Sequence, residues 1–278
     1  MTTTDARALN TLTAPLVLVG AGKMGGAMLE GWLGLGLPPQ QVIILEPKPS
    51  DEIAALAVRG VRINPTGEIG QAGALVVAVK PQVAAEVIPG LATHVGPETL
   101  AVSIMAGKTL AFLEGLLPAG TAIVRSMPNT PAAIGRGITV AVGNAHTTAA
   151  QKALADALLA ATGAVEWVDD EALMDAVTAV SGSGPAYVFL LAEALAKAGE
   201  RAGLPADLAS RLARVTVAGS GELLHRSPLD AATLRQNVTS PGGTTAAALD
   251  VLMSSDGLEP LLVKAVTAAA KRSRELAG

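Results

Sequence analysis

Short glycine-rich and proline-bracketed clusters carry most of the residues in this chain whose types and spacing suit chemistry. The first, Gly20-Ala21-Gly22-Lys23-Met24-Gly25, fits G-x-G-x-x-G; it follows the apolar run Pro15–Val19 and opens a helical pattern at Lys23. In a strand–turn–helix setting the first glycine permits the tight turn, the second lets the backbone approach a pyrophosphate, and the third lets helix and strand pack closely. The helix N-terminus then presents unpaired N–H groups and a positive dipole end to an anion. Such a turn can also be a plain loop, but its place as the first strand-to-helix turn of the chain points to dinucleotide binding.

In that frame the residue that reads the ribose sits at the end of the second strand, about 20 residues on. Glu46 is there, followed by Pro47-Lys48-Pro49-Ser50. A carboxylate accepts from a 2′-hydroxyl and repels a 2′-phosphate, favouring NAD(H), whereas Lys48 and Ser50 could hold a phosphate and favour NADP(H). Glu46 could equally be a solvated strand end, so the residues leave the preference open. Val79-Lys80-Pro81 ends the fourth strand on the carboxyl edge, where doubly wound sheets bind ligands; Pro81 stops the strand and leaves Lys80 facing the crevice or simply solvated. Ile104-Met105-Ala106-Gly107 occupies the matching place after the fifth strand. Gly107-Lys108-Thr109 echoes a phosphate loop, but position 102 is Val102 where that motif requires glycine.

Three further clusters stand out. Arg125-Ser126-Met127-Pro128-Asn129-Thr130-Pro131 follows the sixth strand, and its prolines fix a rigid turn, either a shaped ligand loop or a stiff connection. Ser181-Gly182-Ser183-Gly184-Pro185-Ala186-Tyr187 precedes a helix; Ala179 stands where a nucleophile elbow needs glycine, and a helix cap is the plainer reading. Ser240-Pro241-Gly242-Gly243-Thr244-Thr245 aims several N–H groups outward at a helix start, which suits a small carboxylate or an ordinary capped turn. His94, His146 and His225 are far apart with no metal-ligand spacing, so no metal is expected.

The elements that must position these clusters follow from the apolar pattern. Short apolar runs at Pro15–Val19, Val42–Leu45, Val61–Ile63, Leu75–Val79, Leu100–Ser103, Ile123–Ser126, Ile138–Val142 and Val165–Trp167 read as strands. Helical stretches at Asp51–Val58, Val83–Leu91, Leu110–Leu116 and Thr148–Ala161 lie between them. Near-continuous apolar strands alternating with helices mark a parallel sheet covered on both faces. After Asp169 no strand can be read. Tyr187, Leu190, Leu191, Ala194, Leu195 and Ala198 share one helical face, opened by Ser183-Gly184-Pro185 and closed by Gly203. Leu208, Leu212, Val215 and Gly219 carry the next helix, with later helices expected to start at Ser227-Pro228, Thr244/Thr245 and Glu259-Pro260. The expected organisation is a loose tail over 1–14, a Rossmann-type doubly wound α/β domain over 15–168, and an all-helical domain over 169–278.

Composition narrows the classes. Of 278 residues 50% are apolar but only 2% aromatic, so Ala, Leu and Val must build the core. The mean hydropathy of +0.45 is high, yet no uninterrupted apolar run approaches the roughly 20 residues a spanning helix needs. A large buried interface in an oligomer is the expected reason. A net charge of −4 gives no basic patch, which argues against nucleic acid. The chain has no Cys, so disulfides, thiol nucleophiles and Cys-metal sites are excluded. Residues 1–14 lack an apolar signal core, leaving the cytoplasm as the expected location.

Taken in order, G-A-G-x-M-G, V-K-P, R-x-M-P-N-T-P, S-G-S-G-P-A-Y and S-P-G-G-T-T resemble the pyrroline-5-carboxylate reductase family from about Leu16 to nearly the C-terminus. The last two motifs are particular to that family; the glycine-rich turn is shared by many dehydrogenases. The resemblance implies a Rossmann domain, a helical dimerisation domain intertwined with a second subunit, an active site at the dimer interface, and a homodimer as minimal unit, in some cases within a ring of dimers. It implies NADPH or NADH reducing 1-pyrroline-5-carboxylate to L-proline, the last step of proline biosynthesis. Cofactor contacts would come from Gly20, Ala21, Gly22, Lys23, Met24, Gly25, Glu46, Lys48, Ala78, Val79, Lys80, Pro81, Ile104, Met105 and Ala106. An asparagine that the family carries about fifteen residues before the V-K-P lysine, near the adenine ribose, has its counterpart at Asn64, one step displaced, with Pro65 in the matching place. Glu171, Asn237, Ser240, Gly243, Thr244 and Thr245 would surround the substrate, with Thr245 and Lys80 as the catalytic candidates. A reductase of another small imine or carbonyl acid, a cofactor-binding regulator without catalysis, and a structural helical oligomer are the rival readings. The substrate-side loops weigh against the first two and the glycine-rich turn against the third.

Overall fold

A computed structural model describes residue 9 and residues 12–277. Strand β1 (Leu16–Val19) reads Leu-Val-Leu-Val with every side chain buried. Leu16 and Leu18 face one apolar cluster, and Val17 and Val19 face another on the opposite side. That two-sided burial is why the strand is a continuous apolar run rather than an alternating one. Eight strands form one sheet in the order β3-β2-β1-β4-β5-β6-β7-β8. They are β1, β2 (Val42–Leu45), β3 (Arg62–Ile63), β4 (Ala74–Val77), β5 (Leu100–Ser103), β6 (Ala122–Met127), β7 (Gly137–Gly143) and β8 (Gly163–Trp167). In the central register Leu16 lies opposite Val42 on one side and Ala74 on the other. The strand order reverses at β1, and the crevice beside the carboxyl ends of β1 and β4 is where doubly wound sheets bind ligands.

The sheet is parallel except at one place: β7 runs antiparallel to β6. The sequence reading expected a parallel sheet throughout. Only a short proline-rich segment joins Met127 to Gly137, and a parallel crossover needs a dozen or more residues. A full helix, α5 (Ala149–Ala160), then connects β7 to β8, and that pair is parallel.

Helix α1 (Lys23–Gly34) packs Met28, Leu29 and Trp32 into the first cluster, and the Trp32 indole N–H donates to the Leu158 carbonyl at 2.8 Å. Each such side chain contributes about 1.5–3 kcal/mol through burial. The helices α2 (Asp51–Ala55), α3 (Ala84–Val87) and α4 (Leu110–Glu114) are shorter than the periodicity suggests. The expected stretch Val83–Leu91 continues only as a 3-10 turn from Ile88, since Pro89 has no N–H to extend an α-helical ladder. Of the tail expected over 1–14, residues 1–8, 10 and 11 lie outside the described residues; Leu9 and Leu12 are buried in the first cluster.

By compactness the chain divides into residues 1–182 together with 270–278, and Ser183–Ala269. Beyond β8 the first unit holds α6 (Met174–Val177) and a wide π-type turn, Thr178–Gly182. Gly182 lets the Met127 side chain approach: a Cβ there would stand 2.3 Å from the Met127 Cε, and that methyl would have to swing away. The end of α11 (Leu258–Ala277) also belongs to this unit, where the Ser273 hydroxyl donates to the Asp175 carboxylate at 2.6 Å.

The second unit is all helical: α7 (Gly184–Arg201), α8 (Ala206–Arg226), α9 (Ala231–Asn237), α10 (Thr244–Leu252) and most of α11. Helix α9 does not begin at Ser227-Pro228 as expected. Ser227 ends α8, and Asp230 caps α9 by accepting from the Thr233 N–H at 2.7 Å. The Ala209 and Ala213 side chains are the only fully buried ones across 183–269, while Phe189, Leu190 and Leu191 of α7 are more than half exposed. The helical stretch Glu171–Arg201 is, by length and composition, apolar enough to cross a membrane, with 6% of its most apolar window buried within the chain. Uninterrupted runs missed it because Ser181–Pro185 breaks the run without adding charge.

Candidate functional site

The glycines of the first strand-to-helix turn are used in different ways. Gly20 has φ +89°, and a Cβ there would meet the Ala78 carbonyl oxygen at 2.7 Å; at Gly25 it would meet the Gly20 carbonyl oxygen at 2.4 Å. Gly22 faces open space and caps α1, with no side-chain cap and no acidic residue in the first turn. The first N–H groups of α1 therefore remain for an anion. The turn fits a dinucleotide pyrophosphate on the structure's own terms: close backbone approach, unpaired helix donors and no acid in the first turn of α1.

A cleft of about 530 Å³ opens at the carboxyl ends of β1, β2 and β4. It brings together Gly20, Gly22, Glu46, Asn64, Ala78, Val79 and Lys80 from the sequence reading. Ala21 and Lys23 line the neighbouring groove between α1 and α2. Lys80 is exposed where β4 gives way to a 3-10 turn begun by Pro81. The Met105 side chain is buried in the second core cluster, whereas Ala106 is exposed and Ile104 is half-buried.

Glu46 does more than end a strand. One carboxylate oxygen accepts from the Ala21 N–H and the other from the Lys48 N–H, each at 3.0 Å. Its backbone is clasped by Asn64, whose side chain accepts from the Glu46 N–H at 2.9 Å and donates to the Glu46 carbonyl at 2.7 Å. Asn64 is the one non-glycine residue with positive φ, +44°, among the described residues. Its N–H donates to the Ile44 carbonyl at 2.8 Å. The one-step displacement seen in the sequence thus puts the asparagine onto the backbone of Glu46.

Glu171 and Arg125 form a pair that sequence reasoning missed. Buried Arg125 donates from Nη1 to the Glu171 Oε1 at 2.7 Å, and the same oxygen accepts from the Leu110 N–H at 2.8 Å. One carboxylate ties β6, the start of α4 and the segment before α6. The partners are 46 residues apart, and no local spacing signals such a contact. The Asn129 turn is likewise a tether, accepting from the Ile138 N–H at 3.0 Å and donating to the Ser181 hydroxyl at 3.3 Å.

In the second unit Ser240–Gly243 forms a tight turn closed by the Gly243 N–H on the Ser240 carbonyl at 3.1 Å, with Gly242 at φ +69°. A Cβ on Gly243 would stand 2.5 Å from the Ser240 Oγ. Gly243 caps α10 without a side-chain bond, and the first turn carries no acid. Thr244 is exposed and Thr245 half-buried, and Asn237 ends α9 exposed to solvent. Groups with displaced titration lie on α7 and at the start of α9. Hydrogen bonding between Lys197 and Glu193 raises the lysine and lowers the carboxyl, and the Thr233 N–H holds Asp230 low. Among the described residues no cluster of three or more His, Asp or Glu is placed to hold a metal ion.

A family model described as pyrroline-5-carboxylate reductase dimerisation matches residues 171–276, and one described as NADP oxidoreductase coenzyme F420-dependent matches 15–107. A Pseudomonas aeruginosa pyrroline-5-carboxylate reductase is 41% identical over 95% of this chain and 97% of its own length. A Synechocystis enzyme of the same name is 40% identical over 95% and 99%. The solved Coxiella burnetii pyrroline-5-carboxylate reductase superposes with a TM-score of 0.87 at 34% identity, covering 96% of this chain and 99% of that one. A Plasmodium falciparum pyrroline carboxylate reductase solved with NADP bound gives 0.79 at 28%, over 96% and 99%. This chain belongs to the pyrroline-5-carboxylate reductase family.

Proposed function

We propose that the protein reduces 1-pyrroline-5-carboxylate to L-proline with NADPH or NADH, the last step of proline biosynthesis. Family membership over nearly the whole chain supports the reaction class. The observation that carries the substrate side is the Ser240–Thr245 turn, with its uncapped helix start and absence of acid, which suits one small carboxylate.

The reduced nicotinamide, when bound, supplies a hydride to the imine carbon, and the C=N electrons pass to the ring nitrogen. An imine that arrives protonated already draws the hydride, so no strong acid is required of the protein. Backbone N–H groups from Gly243 to Thr245 fix the carboxylate, the Thr245 hydroxyl bonds the ring nitrogen, and Ser240, Thr244 and Asn237 complete the surroundings. Lys80 places an ammonium at the nucleotide cleft, where it favours bound anions. The protein's main work is alignment, which supplies roughly 7–11 kcal/mol in well-oriented systems.

The solved relative with NADP supports a nicotinamide dinucleotide at the glycine-rich turn. The minimal unit is a homodimer, extending in one arrangement to a ring of dimers. The match of 171–276 to a dimerisation family supports reading the apolar face of α7 as a subunit interface rather than a membrane span. A cytoplasmic location accords with that reading. The deciding test is loss of the near-ultraviolet absorbance of NADPH or NADH when protein meets 1-pyrroline-5-carboxylate, with proline identified as product. No turnover in folded, nucleotide-binding protein would remove the substrate assignment.

A further inference from the structure

We infer that this chain selects the dinucleotide with a free ribose 2′-hydroxyl, NADH over NADPH, and that Glu46 is the residue that selects. The inference rests on reading the cleft as a nicotinamide dinucleotide site and deepens that reading.

The Glu46 carboxylate is held rather than loose. The Ala21 N–H fixes one oxygen and the Lys48 N–H the other, each at 3.0 Å, and Asn64 clamps the backbone beneath from both its N–H and its carbonyl. A carboxylate fixed beside the glycine-rich turn keeps lone pairs for a ribose hydroxyl, because an ionised carboxylate only accepts. A 2′-phosphate carries a charge of about −1.5 to −2, so it repels the carboxylate and is largely without a proton to donate to it. Swinging the carboxylate aside to admit a phosphate would strand two backbone donors, a cost an exposed, unfastened glutamate would not have.

The features that favoured NADP(H) in the sequence are weaker in the structure. The Ser50 hydroxyl is fixed in orientation as the cap of α2, accepting from the Ile53 N–H at 3.3 Å, and its one proton is the only donor it could offer a phosphate. Asp51 and Glu52 follow in the first turn, so Lys48 is the single cation from Glu46 to Glu52, against three carboxylates. Lys23 and Arg59 line the groove beside Ser50 and Glu52, so the discrimination falls to Glu46, whose fixed carboxylate faces the ribose directly.

The test is direct binding, read by nucleotide fluorescence, of NADH and of NADPH to wild-type protein and to Glu46→Gln. The glutamine keeps an acceptor for the Ala21 N–H and removes the charge. The wild type should bind NADH about tenfold or more tightly than NADPH, as repulsion between close charges predicts. Glu46→Gln should cut that ratio about tenfold, chiefly by tightening NADPH. Equal or tighter NADPH binding by the wild type overturns the inference without any variant, and so does a ratio that the substitution leaves unmoved. Binding of neither nucleotide overturns it together with the site. Turnover assayed separately distinguishes the readings: no oxidation with 1-pyrroline-5-carboxylate, alongside a clear NADH preference in binding, would remove the substrate assignment and leave Glu46's role standing.

Discussion

Thr245 lies in the first turn of α10, half-buried, and in the reaction proposed above its hydroxyl bonds the ring nitrogen. Thr245→Ala should leave the melting temperature near wild type and lower kcat/KM roughly 100-fold, the scale of losing one hydrogen bond at the reacting centre. Wild-type turnover would remove Thr245 from the mechanism. Glu171 calls for a different reading. Its carboxylate oxygen binds a buried guanidinium and a backbone N–H at once. Glu171→Ala should destabilise the fold by about 2–3 kcal/mol, discounted from the buried-pair range because the carboxylate keeps some solvent contact. Denaturant unfolding checks this; a raised KM at unchanged stability would show that Glu171 serves the substrate and not the fold. The family resemblance singled out both residues. Only the fold distinguishes their surroundings, because Arg125 and Leu110 are remote from Glu171 in the chain.

At the scale of elements, the strand-turn-helix unit at β1 and α1 was fully legible: the glycine spacing names the turn and the apolar run names the strand. The close approach of Gly25 to Gly20 makes the sharper prediction. Gly25→Ala would put a methyl within 2.4 Å of the Gly20 carbonyl oxygen, pushing α1 away from β1 and opening the anion cradle. Binding of either dinucleotide should fall by about 100-fold or more, with far-ultraviolet circular dichroism retained, since the cradle depends on N–H groups aimed at one point. Unchanged binding would show that the turn has room to relax. Less legible were the reversal of β7 and the early start expected for α9. Apolar periodicity marks a strand but carries no direction, and a Ser-Pro pair competes poorly as a cap with an aspartate two residues on.

At the scale of the whole molecule, the helices after Ser183 carry apolar faces without a core of their own. Burial worth about 25 cal/mol per Å² goes unrealised along α7 unless another surface covers it. A second copy of the chain is the cover proposed here. Leu190 is 62% exposed, and Leu190→Glu should shift the protein from dimer to monomer in sedimentation and lower its melting temperature. A dimer that survives this change would place the interface elsewhere. The sequence by itself determined the class of the first half, the glycine-rich strand-to-helix turn, the helical second half and the family, because these rest on local spacing and on periodicities that each element carries within itself. Tertiary structure alone decided that Glu46 is fastened by the Ala21 and Lys48 N–H groups, that Asn64 clasps it, that Arg125 meets Glu171, and that β7 turns back. Those outcomes depend on which distant backbone groups arrive within hydrogen-bonding range, and spacing along a chain does not encode that distance.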